Sequence, residues 1–355
     1  MKEIMKKIKD IRAELHKNPE HSGHEENTKR IIKEFLKNNT TLYFKDYKGG
    51  IIALFESDDP ADTVAFRADF DAVSLPDGEA SHLCGHDGHT AALLGVALMI
   101  EKIKPSRNVL LIFQPAEETG EGAKAMVDVL NEYAVSEIYG AHNLPGFEFG
   151  KIYTSYDTFA CASCGMIFKI NGKPAHAAYP KMGASPIGVV TDLFNAIRES
   201  QDGDRFDDGT FATLIGCNIG QKEFGTSAEN AEIWITVRSR TEKEFKRIKE
   251  YLEYIVKKKC EFDGLSYTLE FQDEFPATVN DRDCAEKIIR KCDGTLLNEP
   301  MLWSEDFGHF LNHNSCERGA FWGIGAGDCS ALHTKDYEYP DDLLEYQINT
   351  FLNLI

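Results

Sequence analysis

The chain has 355 residues, 42% of them hydrophobic, which is enough to bury the core of one large domain or of two ordinary ones. Its 39 Lys and Arg stand against 58 Asp and Glu, and the resulting net charge of -19 would repel nucleic-acid phosphates and anionic membrane surfaces. No apolar run approaches the roughly 18 residues of a membrane span, and residues 1–10 lack the apolar core of a signal peptide. We therefore expect a soluble cytoplasmic protein that binds neither nucleic acid nor membrane.

The nine cysteines are an odd number without the spacing of a disulfide framework, which favours a reducing compartment. Cys161 and Cys164 have the spacing of a redox motif, but no second pair and no nearby histidine accompanies them. Because their surroundings are apolar and β-prone, we interpret both as buried thiols.

The first part of the chain changes from helical to extended periodicity. Apolar residues recur at helical spacing over 4–15 and 25–37, which predicts two amphipathic helices. Beyond them the period is that of strands, and later segments favour buried elements of both kinds. The patterns predict strands over 42–48, 51–56, 63–68, 109–113 and 137–141, and helices over 89–103 and 121–131.

The segment from Cys84 to His89 places a thiol, two imidazoles and a carboxylate within six residues. Cys84 and His86 are separated by one glycine, so in an extended segment both side chains would leave the same face, as two ligands of one metal cluster must. By itself, a Cys-x-His sequence also fits a buried thiol beside a hydrogen-bonded histidine. Further possible metal ligands along the chain favour the interpretation as a metal site.

Further donors stand at the ends of predicted strands. Glu117 and Glu118 follow the strand over 109–113, and His142 follows the next strand. Open α/β sheets place chemistry outside the carboxyl ends of their strands, so these side chains stand where a site is expected. One glutamate can bind a metal while the other transfers a proton.

Asp69 and Asp71 close the strand that precedes Cys84. They could form a helix cap or a salt bridge with Arg67. Alternatively, they could accept a hydrogen bond from a ligating imidazole and fix its tautomer, and we assign this role to both of them and to Asp87.

A set of short motifs runs in one order over nearly the whole chain, and together they resemble the metal-dependent aminoacylase and amidohydrolase family. That family includes hippurate hydrolases, indole-acetyl-amino-acid hydrolases and N-acetyl-diaminopimelate deacetylases. The motifs are LHKNPE at 15–20, RADFD at 67–71, CGHDGHT at 84–90, FQPAEE at 113–118, AHN at 141–143, GKPAHAAYP at 172–180, TVR at 236–238, WSEDF at 303–307 and LH at 332–333.

The resemblance implies a site for two divalent metal ions, with Glu117 as general base and acid. A coordinating Cys84 would be a thiolate, which permits zinc, manganese, cobalt or nickel. The ligands implied by the resemblance are Cys84, which bridges or lies between the ions, with His86, Glu118, His142 and His333.

The resemblance also implies an α/β catalytic domain with a mixed central sheet, interrupted by a smaller α+β domain that forms a lid and a dimer contact. The sequence agrees, because two helical and four extended patterns occur together and would make a self-sufficient unit. We predict the catalytic domain over 1–163 and 274–355 and the lid domain over 164–273. The lid patterns are strands over 166–170, 213–219, 231–237 and 267–271 and helices over 185–199 and 241–259.

Three residues of this inserted domain are assigned to the substrate by resemblance. His176 would stabilise the oxyanion, although a surface histidine in a loop is an equal alternative. Arg238 would bind a substrate carboxylate through its planar fork, although a salt bridge at a strand end would explain it as well. Asn230 would be a further ligand, but it lies in TSAENAE, where the family usually has an Asn-Val-Ile-Pro run.

The predicted reaction is metal-assisted hydrolysis of the amide bond of an N-acyl amino acid or small dipeptide with a free carboxylate. A metallodipeptidase or carboxypeptidase on the same scaffold is the alternative enzyme. A non-catalytic metal-binding homologue is the alternative of another class, and the glutamate at position 117 argues against it. The resemblance further implies a homodimer.

Overall fold

The computed structural model describes residues 2–60, 62–202, 205–207, 209–314, 316 and 318–355. The chain divides into two compact units, the first formed by residues 1–159, 278–300 and 305–355 and the second by residues 160–277 and 301–304. The limits predicted for the lid domain, 164–273, lie inside the second unit.

The first unit is built on one mixed sheet of eight strands, in the order β1-β2-β6-β3-β7-β16-β8-β15. Its central strands β6, β3, β7 and β16 run parallel to one another. The pairs β1–β2, β2–β6 and β8–β16 are antiparallel, and β15 pairs in parallel with β8. The strands are β1 Tyr43–Tyr47, β2 Gly50–Phe55, β3 Thr63–Asp69, β6 Asn108–Gln114, β7 Val135–Leu144, β8 Ile152–Thr154, β15 Thr295–Leu296 and β16 Gly319–Gly325. The predicted α/β class with a mixed central sheet is confirmed.

Short strands and helices complete this unit. The two-residue strands β4 Val73–Ser74 and β5 Ala80–Ser81 pair with each other, and β9 Thr158–Ala160 pairs with β14 Thr278–Val279. The helices are α1 Lys2–His16, α2 Glu26–Asn39, α3 His86–Ile103, α4 Gly122–Met126, α5 Val129–Glu132, α8 Arg282–Cys292, α9 Gly308–Leu311 and α10 Leu343–Leu354.

Helix α3 lies in the core, because apolar residues surround it on nearly all sides. α1 and α10 pack against it, and Gly95 provides the close approach, since a Cβ there would lie 2.3 Å from the side chain of Ile348. The strands beneath are buried on both faces, as the apolar run at 109–113 predicted.

The second unit is an antiparallel sheet of four strands, in the order β11-β12-β10-β13, with two helices packed on it. Alternate residues of β12, among them Ile233, Ile235 and Val237, are buried, as expected for a sheet with one covered face. The elements are β10 Ala162–Asn171, α6 Ile187–Gln201, β11 Phe211–Ile219, β12 Asn230–Ser239, α7 Glu242–Asp263 and β13 Ser266–Phe275. The predicted count of four strands and two helices is confirmed.

Three local predictions differ from the structure. Helix α3 begins at His86, three residues before the predicted start, so Cys84 and His86 do not lie in an extended segment. The predicted helix over 121–131 consists of the two short helices α4 and α5, and β7 continues through His142 to Leu144.

Among the residues that the structure describes, no helix is long and apolar enough to cross a membrane.

Candidate metal centre

The turn at Gly85 sets the directions of Cys84 and His86. Gly85 has φ of +96°, which favours glycine, and its carbonyl accepts the backbone N–H groups of Gly88 and His89 at 2.9 and 3.1 Å. Helix α3 can therefore begin directly after the turn. A Cβ at position 85 would lie 2.5 Å from Asn143 Oδ1, so the position also requires the small residue.

Cys84 lies between two of the predicted ligands. Its Sγ is 3.3 Å from His142 Nε2, near the end of β7, and 3.3 Å from His333 Nε2, in the loop after β16. His333 Nε2 is in turn 3.5 Å from Glu118 Oε1. The structure thus brings together donors from four separate segments of the chain.

His86 completes the cluster from the other side. Its Nε2 lies 3.9 Å from Glu118 Oε1 and 3.8 Å from Glu117 Oε2. The atoms His86 Nε2 and Glu118 Oε1 are buried and have no hydrogen-bond partner. Buried polar atoms are normally satisfied, and atoms that ligate one ion lie about this far apart without bonding to each other.

The donors form two groups that share the thiol. Within each group the ligand atoms lie within 4.8 Å of one another, the first being Cys84, His86 and His142 and the second Cys84, Glu118 and His333. Thiolate, imidazole and carboxylate together suit zinc and the neighbouring divalent transition metals. The chemistry of these donors therefore fits a site for two divalent ions.

Backbone carbonyls orient two of the imidazoles. His86 Nδ1 lies 3.0 Å from the carbonyl oxygen of Asp71, and His142 Nδ1 lies 2.8 Å from that of Asn143. Because a carbonyl oxygen only accepts, each Nδ1 carries the proton, and each Nε2 faces the cluster as a lone-pair donor.

The three predicted supporting aspartates differ in what they contact. The Asp71 carboxylate lies 3.4 Å from His86 Nδ1 and accepts the Glu118 N–H at 3.0 Å, so it touches two residues of the cluster. Asp69 accepts from His89 Nδ1 at 2.7 Å and is 3.9 Å from His86 Nε2. His89 belongs to the CGHDGHT motif but was not among the predicted site residues.

Asp87 faces away from the cluster. Its carboxylate accepts from Arg12 Nη1 at 3.0 Å and lies 2.7 Å from His16 Nδ1, both on α1. These partners outweigh burial, which by itself raises a carboxyl pKa, and bring the pKa of Asp87 to about 2. The contacts tie α1 to α3.

Burial and neighbouring charges shift the pKa values at the site. Burial raises the pKa of Glu117 well above its usual range, and the carboxylates of Glu305, Glu118 and Asp306 raise it further. The neighbouring Cys84 sulfur and Glu118 carboxylate raise the pKa of His333 to about 10. A carboxyl group of raised pKa suits a group that takes up and releases protons near neutral pH.

A buried charge network adjoins Glu117, and only its Arg67–Asp69 salt bridge was among the alternatives drawn from the sequence. Arg67 donates to Asp69 and Asp306, both at 2.6 Å, and its Nη2 lies 2.9 Å from Glu305 Oε1. Glu305 and Asp306 are both buried and precede the four-residue helix α9. Their place in the WSEDF motif was the only available signal.

The three substrate residues assigned by resemblance belong to the second unit. His176 is exposed, and its Nδ1 accepts the N–H of Ala178 at 3.1 Å. Arg238 Nη1 donates to the Leu302 carbonyl at 2.9 Å and to Ser304 Oγ at 3.2 Å. Asn230 is the first residue of β12.

An α/β unit with a buried cluster of thiol, imidazole and carboxylate donors defines a class of metal-binding enzymes, and comparison with known proteins identifies the family. The model of peptidase family M20/M25/M40 matches residues 65–355. The chain belongs to this family, and it is a metal-dependent hydrolase that acts on amide bonds. The predicted resemblance is thereby confirmed.

Two curated relatives have different names. The chain is 30% identical to thermostable carboxypeptidase 2 of Saccharolobus solfataricus, over 88% of this chain and 84% of the relative. It is 26% identical to N-acetyldiaminopimelate deacetylase of Leuconostoc mesenteroides, over 92% of this chain and 91% of that protein. These names leave the substrate of this chain open.

Two solved structures share the fold. A protein from methicillin-resistant Staphylococcus aureus superposes with a TM-score of 0.88 at 26% identity, covering 99% of this chain and 97% of its own. A dinuclear metal-binding peptidase of family M20 from Bacillus subtilis superposes with a TM-score of 0.82 at 22% identity, covering 100% of this chain and 98% of its own. The fold of the whole chain is therefore that of these proteins.

Proposed function

We propose that this chain hydrolyses the amide bond of N-acyl amino acids with the help of two divalent metal ions. The observation that carries the proposal is the pair of buried, unbonded atoms His86 Nε2 and Glu118 Oε1, 3.9 Å apart beside the Cys84 thiol. Unpaired polar atoms in a protein interior are costly, and a shared cation offsets that cost. The proposed ligands are Cys84, His86, Glu118, His142 and His333.

Bound divalent ions would polarise the amide carbonyl and lower the pKa of water from about 15.7 toward about 7. Glu117 would take the proton of the attacking water, for which its raised pKa and its position 3.8 Å from His86 Nε2 are suited. It would then deliver that proton to the nitrogen of the leaving amine. Water thus adds hydroxyl to the acyl carbon and hydrogen to the amine as the C–N bond breaks.

The substrate would carry a free carboxylate. Arg238 supports this, because both acceptors of its Nη1 are uncharged oxygens, so its positive charge is available for an anion. His176 is exposed and could donate to the oxyanion of the tetrahedral species. Asn230 stays a predicted substrate ligand.

A carboxypeptidase or dipeptidase activity is the second candidate, and the relative that is 30% identical favours it by its name. Both candidates use the same metal-assisted chemistry and differ in the acyl side of the bond. A parallel assay with hippurate, N-acetyl amino acids and dipeptides separates them.

The test of the proposal combines metal analysis with that panel. Purified protein should contain about two divalent ions per chain, should hydrolyse an N-acyl amino acid, and should lose this activity on chelation and regain it with added metal. Activity that persists after complete removal of the metal would contradict the proposal, as would metal-loaded protein that cleaves no member of the panel. Cleavage of dipeptides alone would favour the second candidate.

We also propose that the chain works as a cytoplasmic homodimer. Among the described residues, eight cysteines are free thiols, which suits a reducing compartment. They are Cys84, Cys161, Cys164, Cys217, Cys260, Cys284, Cys292 and Cys329. Strand β11 is an edge of the four-stranded sheet and exposes Leu214, Ile215 and Ile219, which a second copy could cover. Light scattering of the purified protein tests the dimer, and a monomeric mass would contradict it.

A further inference from the structure

One buried guanidinium holds three carboxylates beside Glu117. Arg67, on the central strand β3, is 1% exposed. Its Nη1 donates to Asp69, and its Nη2 contacts both Glu305 and Asp306. Its Nε donates to Gln114 Oε1 at 2.7 Å. A single cation thus faces three carboxyl groups in the protein interior, where charges interact strongly.

Glu305 is the unusual member of this network. Its Oε1 contacts Arg67 Nη2 and accepts the N–H of Phe307 at 3.2 Å, but its Oε2 is buried and has no hydrogen-bond partner. One oxygen of Glu305 lies within 4.8 Å of an oxygen of Glu117 and of one of Asp306. A buried carboxylate oxygen without a hydrogen-bond partner lowers the stability of the fold, so its presence here needs an explanation.

The two oxygens of Glu117 have different surroundings. Oε1 accepts the backbone N–H of Asp306 at 3.4 Å, and Oε2 lies 3.8 Å from His86 Nε2. If the carboxylate turned further toward Glu305, two anions would approach each other in a medium of low dielectric constant. The N–H of Asp306 attracts one oxygen, and the charge of Glu305 disfavours further rotation.

We propose that Glu305 is a positioning residue that keeps the carboxylate of Glu117 turned toward the metal cluster. Arg67 fixes Glu305 and Asp306 relative to each other, and the Asp306 N–H anchors Glu117. The inference rests on the proposed role of Glu117 as the base. Misplacing a reacting group by about 1 Å can cost on the order of a hundredfold in rate, so such positioning has a measurable effect.

The test replaces Glu305 by glutamine, which keeps the size of the side chain and removes its charge. The new amide would donate to Glu117 and hold its carboxylate away from the cluster. We expect kcat to fall about 10- to 100-fold, with KM and metal stoichiometry within about twofold of wild type. Glu345→Gln, at an exposed position of α10, is the matched control and should change none of these. An unchanged kcat in Glu305→Gln would overturn the proposal.

A double substitution separates positioning from a general structural effect. If Glu305 acts through Glu117, adding Glu305→Gln to Glu117→Gln should not lower the residual turnover further, because the base is already absent. An additional loss equal to that of the single variant would overturn the inference. If Glu117→Gln itself turned over at the wild-type rate, the proposed function would fail instead, so the two failures are distinguishable.

Glu305→Asp serves if the glutamine variant does not fold. Aspartate keeps the charge for Arg67 but draws it away from Glu117, so kcat should fall at unchanged KM and metal content. Wild-type kcat in this variant would overturn the proposal.

Discussion

The Cys84 thiol and the His333 imidazole lie 3.3 Å apart, although 249 positions separate them in the chain. His333 has φ of +61°, which is uncommon for a residue with a side chain, and its N–H donates to the carbonyl of Leu83 at 2.8 Å. A backbone held in an uncommon conformation at a site is typical of functional residues. The candidate metal centre therefore requires that the chain after β16 return to the turn before α3.

Replacing His333 by alanine should remove metal without unfolding the protein. Its side chain is 50% exposed, so little packing is lost, but one cluster group loses a donor. We expect metal content below wild type by about one ion per chain and hydrolysis reduced to near background. Elemental analysis and thermal unfolding measure the two effects. His24→Ala, in an exposed loop, should keep full metal content, and normal metal binding by His333→Ala would refute the ligand assignment.

Replacing Asp71 by asparagine should weaken metal binding. The Asp71 carboxylate lies beside His86 Nδ1 and accepts the Glu118 N–H, so it orients two donors. Loss of such a contact typically lowers metal affinity by about 10- to 100-fold, which competition with a chromophoric chelator would measure.

Asp87→Asn is the matched control for that experiment. Asp87 is equally buried but pairs with Arg12 and His16, so its loss should lower stability by about 3 to 5 kcal/mol and leave the metal affinity of the folded protein unchanged. Equal effects of the two substitutions on metal affinity would contradict the assignment of Asp71.

Replacing Glu117 by glutamine should strongly lower turnover but keep the metal. The glutamine has the same size and removes only the ability to accept a proton. We expect kcat to fall on the order of 100- to 10,000-fold, the usual contribution of a general base. The metal content of the variant should stay near that of the wild type. Hydrolysis at the wild-type rate would refute the assignment of Glu117 as the general base.

The sequence predicts best those elements whose pattern is local. Helix α1 was predicted from the helical spacing of Ile4, Ile8 and Ile11, and strand β6 from the continuous apolar run over 109–113. In both cases the spacing of the apolar residues indicates which faces of the element are buried. Four donors of the cluster are likewise predictable, since their residue types and places at predicted strand ends suit a metal, whereas His333 was implied by the family resemblance alone.

What the sequence could not predict depends on contacts between distant segments. The approach of Glu305 to Arg67, across 238 positions, is decided by the order of the strands, which no local pattern specifies. Asp87 is next to His86 in the sequence, but its side chain contacts Arg12 of α1. Proximity in the sequence therefore did not predict the contacts of Asp87. The early start of α3 depends on the backbone conformation of Gly85.

A cluster far from the candidate metal centre gives a prediction on acid stability. Glu137, on β7, accepts from Lys287 Nζ at 2.7 Å and from Arg107 Nη1 at 2.9 Å, and Arg318 Nη2 lies 3.9 Å away. Burial raises the pKa of Glu137, but the bonds from Lys287 and Arg107 outweigh it, so the pKa is below its usual value of 4.5. The ion pairs therefore stabilise the fold above that value, and this stabilisation is lost as the pH falls through the lowered pKa.

Glu137→Gln should accordingly destabilise the protein in a pH-dependent way. Because the carboxylate is largely buried and bonded to two cations, we expect a loss of about 1 to 3 kcal/mol in the free energy of unfolding at pH 7. The difference from wild type should shrink as the pH is lowered below 4.5, where the carboxylate of the unfolded wild-type chain is itself protonated. Urea unfolding at a series of pH values measures this. Glu148→Gln, in an exposed pair with Lys151, should cost no more than about 1 kcal/mol at any pH. A Glu137→Gln difference that is the same at neutral and acid pH would mean that packing, and not charge, explains the role of Glu137.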